Sequence, residues 1–502
     1  MSELATFPVI EAVSPSSRPL AGQLRRLAET AALVSLDVLA VALSFAAAAS
    51  LRLGVLPYLS SAFAPQLPPG ILGKIGWFAL LVPAALAYEG LYTGRYSFWQ
   101  ECGRLVKALC LAFVFALAVI TLTKTTAEVS RTLVVLAWLF ALLFLPAVRY
   151  GGKHLLARLG LWRRRVLVLG AGRTGIMILQ ALSADPYLGY QVVGFLDDDP
   201  RKKHYTWPGS NRADVRVLGG FKDVGRVMRE TGVYNLIVAV PGLTGRKLVA
   251  LVNSLQTGCE SILVVPDLFG LPVLGAEADY FFNEQILGLR IKNNLASPVN
   301  AFLKRAFDLV VGSIILLLVS PVMLLIACSI KLDSPGPVFY ASPRLGRGGR
   351  LFNCYKFRTM HLNNEAILQA YLQNNPLARQ EWEKYRKIKG SDPRVTRVGR
   401  FLRRTSLDEL PQLFNVLRGE MSLVGPRPYL LTEADYLTGY QDTILLTPPG
   451  ITGLWQVSGR NKLKFAERIR LEAWYVRNWS LWMDITLLIR TLGVLNKKDE
   501  AY

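Results

Sequence analysis

Charge is scarce in these 502 residues: only 19% are Asp, Glu, Lys or Arg, while 52% are hydrophobic. With a mean hydropathy of +0.31, that balance argues against a purely soluble protein and points to membrane. Acidic residues are the scarcer charge, 36 against 58 basic ones, which gives a formal net charge of +22. A surplus of that size suits nucleic acid, anionic lipid or phosphate-bearing substrates. No zinc-finger, homeodomain or RNP motif is present, so nucleic acid is set aside as a partner. Cysteine is sparse as well: Cys102, Cys110, Cys259, Cys328 and Cys354 are scattered with no C-x-x-C. That excludes a disulfide or metal framework and reads as free thiols of a protein facing the cytoplasm. No cleavable signal peptide is expected, because Arg18, Arg25 and Arg26 precede no short apolar core with a small-residue cleavage site.

The length suits two to four domains. Four long apolar segments, roughly Ala31–Leu53, Ile71–Leu91, Leu105–Leu122 and Thr132–Val148, each approach the ~20 residues that cross a bilayer. Basic residues mark the side holding Arg25 and Arg26, then Arg95, Arg104 and Lys107, then the dense run Arg149 to Arg165. The positive-inside rule puts the N-terminal tail (1–27) and everything beyond Tyr150 in the cytoplasm. After the bundle (28–150), short apolar runs at 166–172, 191–199, 235–240 and 261–267 read as buried parallel strands joined by crossover helices, a Rossmann-like α/β domain over 160–290. A fifth apolar segment, about 308–332, opens a basic third domain over 298–502. Ser320-Pro321 lies inside it. Proline removes a helical hydrogen bond and the serine hydroxyl can satisfy the freed carbonyl. Hydropathy favours a kinked fifth span. A crossing there would leave Lys356, Arg403 and Arg404 outside, whereas a re-entrant helix turning back at Ser320-Pro321 keeps them inside.

"GAGRTG" matches G-x-G-x-x-G through Gly170, Gly172 and Gly175, after a strand and before a helix, with Asp197 at the end of the next strand. A nucleotide site is plausible in that context. A reductase or dehydratase on this fold needs a Tyr-x-x-x-Lys pair, and no tyrosine between 163 and 300 has a lysine four positions on. A binding, regulatory or structural domain is the expectation, with a membrane-bound nucleotide-sugar dehydratase or reductase as the alternative.

"SLDELPQLFN" (406–415) sets Asp408 beside Glu409. By itself it reads as a helix start, with Ser406 as N-cap and Glu409 completing a capping box. Its neighbourhood is cationic: Arg403 and Arg404 just before it, Arg427 in "VGPRP", Arg460 in "QVSGR", Lys356 and Arg358 in "YKFRTM". Guanidinium groups in Gly/Pro-rich turns suit phosphate. Asp408 beside such cations is expected to have a lowered pKa, fit to act as nucleophile or to bind Mg2+.

Taken with "KRAFD" (304–308), "DPRVTRVGRFLRRTSLDELPQLFNVLRGEMSLVGPRP" (392–428) and "PGITGLWQVSGR" (449–460), these motifs resemble the monotopic polyprenyl-phosphate sugar-1-phosphate transferases of bacterial glycan assembly. With four spans and a Rossmann-like domain ahead of them, the whole chain is similar to the large form, nearest the undecaprenyl-phosphate galactose phosphotransferase branch. The fold class implied is a membrane protein, α plus α/β, with a four-helix transmembrane bundle, a Rossmann-like α/β domain and a mainly helical monotopic catalytic domain with a re-entrant membrane helix. The resemblance implies two-step transfer of hexose-1-phosphate, galactose favoured and glucose next, from a UDP-hexose to undecaprenyl phosphate. Asp408 would be the nucleophile and Glu409 a partner in holding Mg2+, with Arg403, Arg427, Arg460 and Lys356 on phosphate. It further implies membrane lipids and a homodimer as partners, the cytoplasmic face of the bacterial inner membrane as location, and Trp474, Trp479 and Trp482 at headgroup depth. The pathway served would be exopolysaccharide, capsule or O-antigen assembly.

Overall fold

The structure is a computed structural model that describes residues 20–60, 63, 76–123, 130–208, 214–243, 245–256, 258–267, 277–281, 286–290, 294–385, 388, 392–437, 439–459 and 463–495. Two compact units divide the chain, Met1–Asp267 and Leu268–Tyr502.

Alanine- and leucine-rich sequence makes the first unit's helices α1 (Leu20–Gly54), α2 (Phe78–Tyr88), α3 (Phe98–Leu122) and α4 (Arg131–Arg158). Caps place two of their starts: Ser97 and Gln100 form a capping box before α3, and the Ser130 hydroxyl accepts from Leu133 N–H at 3.4 Å before α4. The four pack on a seam of small residues (Ala40, Ala108, Ala112 and Ala141 among them), which lets backbones approach where water offers no driving force. α1, α3 and α4 are long and apolar enough to cross a membrane. The second expected span is shorter: α2 has 11 residues, a rise of ~16 Å against a core of ~30 Å, while 71–75 lie outside the described residues.

A charge cluster is buried in this bundle. Arg149 is fully buried and donates to Asp37 through Nε (2.7 Å) and Nη2 (2.6 Å), and to Glu101 through Nη1 (2.6 Å). Lys153 also pairs with Glu101, and Tyr92 O–H donates to Asp37 at 2.7 Å. Two cations against two carboxylates leave the set neutral.

The α/β part follows with parallel strands β1 (Arg164–Leu169), β2 (Tyr190–Leu196), β4 (Asp214–Gly219), β5 (Asn235–Val238) and β6 (Ser261–Val264), plus the antiparallel edge strand β3 (Thr206–Pro208). Their spatial order β3-β4-β2-β1-β5-β6 is the doubly wound pattern, with its switch point between β1 and β5. β1 leads into Gly170, whose φ is +101°, and a Cβ there would meet Ala239 O at 2.6 Å. Helix α5 (Arg173–Ala184) packs so closely that a Cβ on Gly175 would fall 1.9 Å from Gly170 O, whereas Gly172 has open space around it; helices α6 (Val224–Thr231) and α7 (Arg246–Gln256) follow β4 and β5. Asp197 is not free for a ribose. Its Oδ2 accepts from Ala171 N–H at 2.7 Å and from Lys202 Nζ at 2.8 Å.

The second unit begins with the hairpin β7 (Glu277–Phe281) and β8 (Ile286–Arg290), which sequence reading had placed in the α/β domain. Helix α8 (Pro298–Asp333) then runs 36 residues through Pro321 as one helical element. Ser320 Oγ donates to Leu317 O at 2.8 Å, the carbonyl that Pro321 leaves without its usual donor. Gly312 on its N-terminal half packs on Val416, and Met323, Ile326 and Ile330 on its C-terminal half pack with Phe357 and Leu402. Beyond α8 come the ribbon β9 (Phe339–Leu345) and β10 (Leu351–Phe357), helices α9 (Asn364–Asn374), α10 (Pro376–Tyr385), α11 (Arg397–Thr405) and α12 (Gln412–Arg418), the short parallel pair β11 (Ser422–Val424) and β12 (Gly450–Thr452), and helices α13 (Phe465–Arg477) and α14 (Leu481–Leu495).

Removing Arg149 leaves buried Asp37 without a cation and Glu101 with Lys153 alone, so Arg149→Met should cost about 3–5 kcal/mol. Thermal unfolding of the detergent-solubilised protein should show a clear fall, and Arg158→Met, on an exposed side chain of the same helix, almost none. Equal midpoints for the two variants would contradict the cluster's role.

Candidate active site

Helix α11 ends at Thr405, and Ser406 turns the chain with φ +57°, the one positive-φ non-glycine among the described residues. A left-handed residue with a Cβ costs roughly 1–2 kcal/mol. The next three residues, Leu407–Glu409, form a single 3-10 turn carrying Asp408 and Glu409. The expected capping box is absent: Ser406 makes no side-chain cap, and α12 starts only at Gln412 with Pro411 at its N-cap. Glu409 is used otherwise, its Oε1 accepting from Lys356 Nζ at 2.7 Å.

Asn415 brings Lys356 into register with that turn. Fully buried in α12, its Oδ1 accepts from Tyr355 N–H at 3.0 Å and its Nδ2 donates to Asn353 O at 2.8 Å, fastening α12 to β10. Arg305 of α8 closes the other end of α12, donating to Val416 O (2.6 Å) and Leu417 O (2.8 Å).

Asp408, Glu409, Lys356, Arg403 and Arg427 all line one cavity of about 1070 Å³, ample for a sugar nucleotide. Arg403 Nε donates to Thr359 Oγ1 at 2.9 Å, and the Arg427 guanidinium lies 5.9 Å from the Trp455 ring centre. Arg460 lies outside the described residues. Ser320 and Pro321 are not in the cavity wall, although Ile315 of the same helix is. Gly170, Gly172, Gly175 and Asp197 belong to the first unit.

The electrostatics reverse one expectation. Burial pushes the Asp408 carboxyl up to about 6, with the Glu409 charge adding to the rise while Lys356 and Arg403 oppose it. Its pKa is raised, not lowered, yet the group stays mostly ionised at neutral pH. For Lys356, burial favours the neutral form, but the charges of Glu409 and Asp408 outweigh it and raise the pKa.

Two other expectations change. Arg358 lines the cavity, but its terminal nitrogens are engaged within the chain: Nη1 donates to Pro335 O and Nη2 to Ser334 O, both at 2.7 Å, so it ties down the exit of α8. Trp479 is 2% exposed and donates to Asp484 at 3.1 Å, a core position and not a headgroup anchor.

Residues to which the sequence assigned no role support the Arg427 turn. Lys304 Nζ reaches Asp484 (2.7 Å) and Val424 O (3.0 Å), and Asp308 accepts from Leu423 N–H at 3.1 Å. Glu472 of α13, 1% exposed, accepts from Arg427 N–H at 3.0 Å and from Tyr429 O–H. A signal for Glu472 was available: it falls on the apolar side of α13 with Ile469, Ala473 and Val476 at i−3, i+1 and i+4.

Paired carboxylates facing three cations in one cavity, on a unit that carries a long apolar helix, define a membrane-associated enzyme acting on phosphate esters. The chain matches the family Bacterial sugar transferase over residues 299–498 and the family CoA-binding domain over 89–266. It is 39% identical over 431 residues to the Undecaprenyl-phosphate galactose phosphotransferase of Salmonella typhimurium, covering 85% of this chain and 86% of that one. The UDP-galactose-lipid carrier transferase of Erwinia amylovora is 38% identical over 429 residues, 85% and 86% of the two chains. The UDP-glucose:undecaprenyl-phosphate glucose-1-phosphate transferase of Escherichia coli is 34% identical over 347 residues, 67% and 68%. The chain therefore belongs to the polyprenyl-phosphate sugar-1-phosphate transferase family and is a sugar phosphotransferase.

Burial holds the Glu472 carboxyl up to about 7 from an ordinary 4.5, against the pull of its bonds from Tyr429 and Arg427. Between those values the folded chain keeps a proton that the unfolded chain has released, so stability falls as pH rises through that window. Glu472→Gln, neutral throughout, should flatten that part of the profile, read as unfolding midpoints between about pH 5 and about pH 7.5. An unchanged slope would contradict the assignment.

Proposed function

We propose that this protein transfers hexose-1-phosphate, galactose favoured and glucose next, from a UDP-hexose to undecaprenyl phosphate at the cytoplasmic face of the inner membrane. The observation that carries this is the placing of Asp408 and Glu409 on one turn in the wall of a cavity shared with Lys356, Arg403 and Arg427. The names of the relatives from Salmonella typhimurium and Escherichia coli favour undecaprenyl phosphate as acceptor.

The chemistry runs in two displacements. An Asp408 carboxylate oxygen attacks the sugar-side phosphorus, the bond to the bridging oxygen breaks, and UMP leaves with that electron pair. A phosphate oxygen of undecaprenyl phosphate then attacks the same phosphorus, and Asp408 departs as carboxylate. Arg403 and Arg427 offset the anionic charge that would repel each nucleophile, and Lys356 orients Glu409. The donor set fits Mg2+, which is held in such sites by one or two carboxylates together with substrate phosphates. Asp408 and Glu409 would hold it, and it would supply further charge neutralisation at the diphosphate.

A re-entrant α8 is part of this reading. Lys304 near its start and Asp333 at its end, which accepts from Val398 N–H at 3.1 Å, are both tied into the second unit. The α/β domain is assigned a regulatory or structural role without redox chemistry, since Asp197 is engaged by the chain's own donors.

Incubation with a UDP-hexose labelled in the sugar, without lipid, should leave hydroxylamine-sensitive label on the wild type and release UMP. Asp408→Asn, which cannot form the acyl phosphate, should do neither while keeping its fold. Full activity in Asp408→Asn would end the proposal. Cysteines placed at Ser297 and Gly346 should label from the same side of the membrane, and labelling from opposite sides would make α8 a span.

A further inference from the structure

Tyr340, Ser342 and Arg344 alternate along β9 onto the face that lines the cavity. The antiparallel register sets Tyr340 opposite Lys356 and Ser342 opposite Cys354, and both of those partners line the same cavity. Arg344 thus extends the Lys356 face by two pleats, a distance of ~13 Å along the strand. At that point it meets the turn that carries Arg427: Arg344 Nη1 donates to Pro428 O at 3.3 Å.

That long bond is the one hydrogen bond of the Arg344 guanidinium among the described residues, and no carboxylate there comes within ion-pair distance of it. Several other basic side chains of the unit are engaged within the chain. Arg394 is forked onto Asp392, Arg358 is bound by Ser334 and Pro335, Lys304 pairs with Asp484, and Lys356 pairs with Glu409. A guanidinium has five N–H donors in a planar fork. Half-buried in the cavity wall with most of them unclaimed by the chain, it can offer them to a ligand, and the acceptor that matches the fork is a phosphate or carboxylate. Arg427 reinforces this, because its own nearest carboxylate oxygen, on Glu433, is 3.9 Å away.

We infer that Arg344 is a further substrate-binding residue, forming with Arg427 a two-guanidinium clamp on a phosphate group. The inference rests on the transfer reaction proposed above. Two phosphates enter the cavity in that reaction: the nucleotide-side phosphate, which leaves in UMP, and the terminal phosphate of the lipid acceptor. Their chemistry at the clamp is the same, and the two half-reactions separate them.

The experiment uses the full chain in detergent and measures an apparent KM for UDP-hexose from the single-turnover burst of UMP without acceptor, then an apparent KM for polyprenyl phosphate in the transfer from the labelled enzyme. Arg344→Ala should raise KM in at least one arm about tenfold or more, the scale of a lost hydrogen-bonded charge. Arg344→Lys, which keeps the charge and loses the fork, should recover part of it. A rise in the donor arm assigns the clamp to the nucleotide phosphate, and a rise in the acceptor arm assigns it to the lipid phosphate. If Arg344→Ala lowers the unfolding midpoint, Arg344→Gln, which can still donate toward Pro428, is read in its place. Both KM values within about twofold of wild type would overturn the clamp. Should wild type itself release no UMP, the transfer reading falls. The clamp is then decided by equilibrium binding of UMP and of a short-chain polyprenyl phosphate to wild type and Arg344→Ala, equal affinities for both ligands overturning it.

Discussion

A single buried ion pair, Lys304 with Asp484, organises the second unit. Lys304 belongs to the first turns of an apolar helix and Asp484 to the last helix of the chain, so the pair closes the unit end to end. Charges so fully withdrawn from water are tolerable only when their remaining donors and acceptors are satisfied. Here Tyr475 O–H and Trp479 Nε1–H supply Asp484, while Lys304 also holds Val424 O. Val424 ends β11, and the next residues are the Gly-Pro-Arg-Pro turn. The ionic demand of Lys304 is therefore met by groups that also fix where the Arg427 turn leaves the core. Asp308, one helical turn on, adds the Leu423 N–H.

The same economy of contacts appears on the other side of the cavity. Asn415 fastens α12 to β10, Lys356 leans on Glu409, and Ser406 accepts a left-handed backbone so that the acidic turn can follow α11 directly. The product is a carboxylate pair that repels itself, is partly desolvated and is countered by Lys356, bonded to Glu409, and by the charge of Arg403. The rise in the Asp408 pKa is the measure of that tension. A divalent cation or a diphosphate-bound cation beside the pair would relieve it.

Much of the fold was legible because buried parallel strands are written as unbroken apolar runs, and four such runs fall on β1, β2, β5 and β6. β4 was not, since Asp214, Val215, Arg216 and Val217 alternate as an edge strand does. The acidic pair and its cations were legible as motifs, and Lys356, Arg358, Arg403 and Arg427 share one cavity with the pair, whereas Arg404 is exposed and outside its wall. Their geometry was not. Ser406 looked like a cap because the one-dimensional signal for a capping box holds no information on φ. Arg358 looked like a phosphate ligand and Trp479 like a headgroup anchor because sequence shows that a side chain is polar or aromatic, not which carbonyl or carboxylate lies beside it. Asp308 and Asp484 act through contacts 115 and 180 residues away, and although Glu472 shows as a carboxylate on an apolar helix side, no local pattern names its partners Arg427 and Tyr429.

The central claim is that sugar-phosphate passes through a covalent bond to Asp408 before any lipid is engaged. Isotope exchange tests it most directly: labelled UMP and unlabelled UDP-hexose are incubated with the enzyme in the absence of polyprenyl phosphate. A reversible first displacement predicts that label enters UDP-hexose at a rate set by enzyme, donor and UMP alone. No exchange without lipid, with exchange or turnover appearing only when polyprenyl phosphate is added, would mean direct transfer in a ternary complex and would contradict the account.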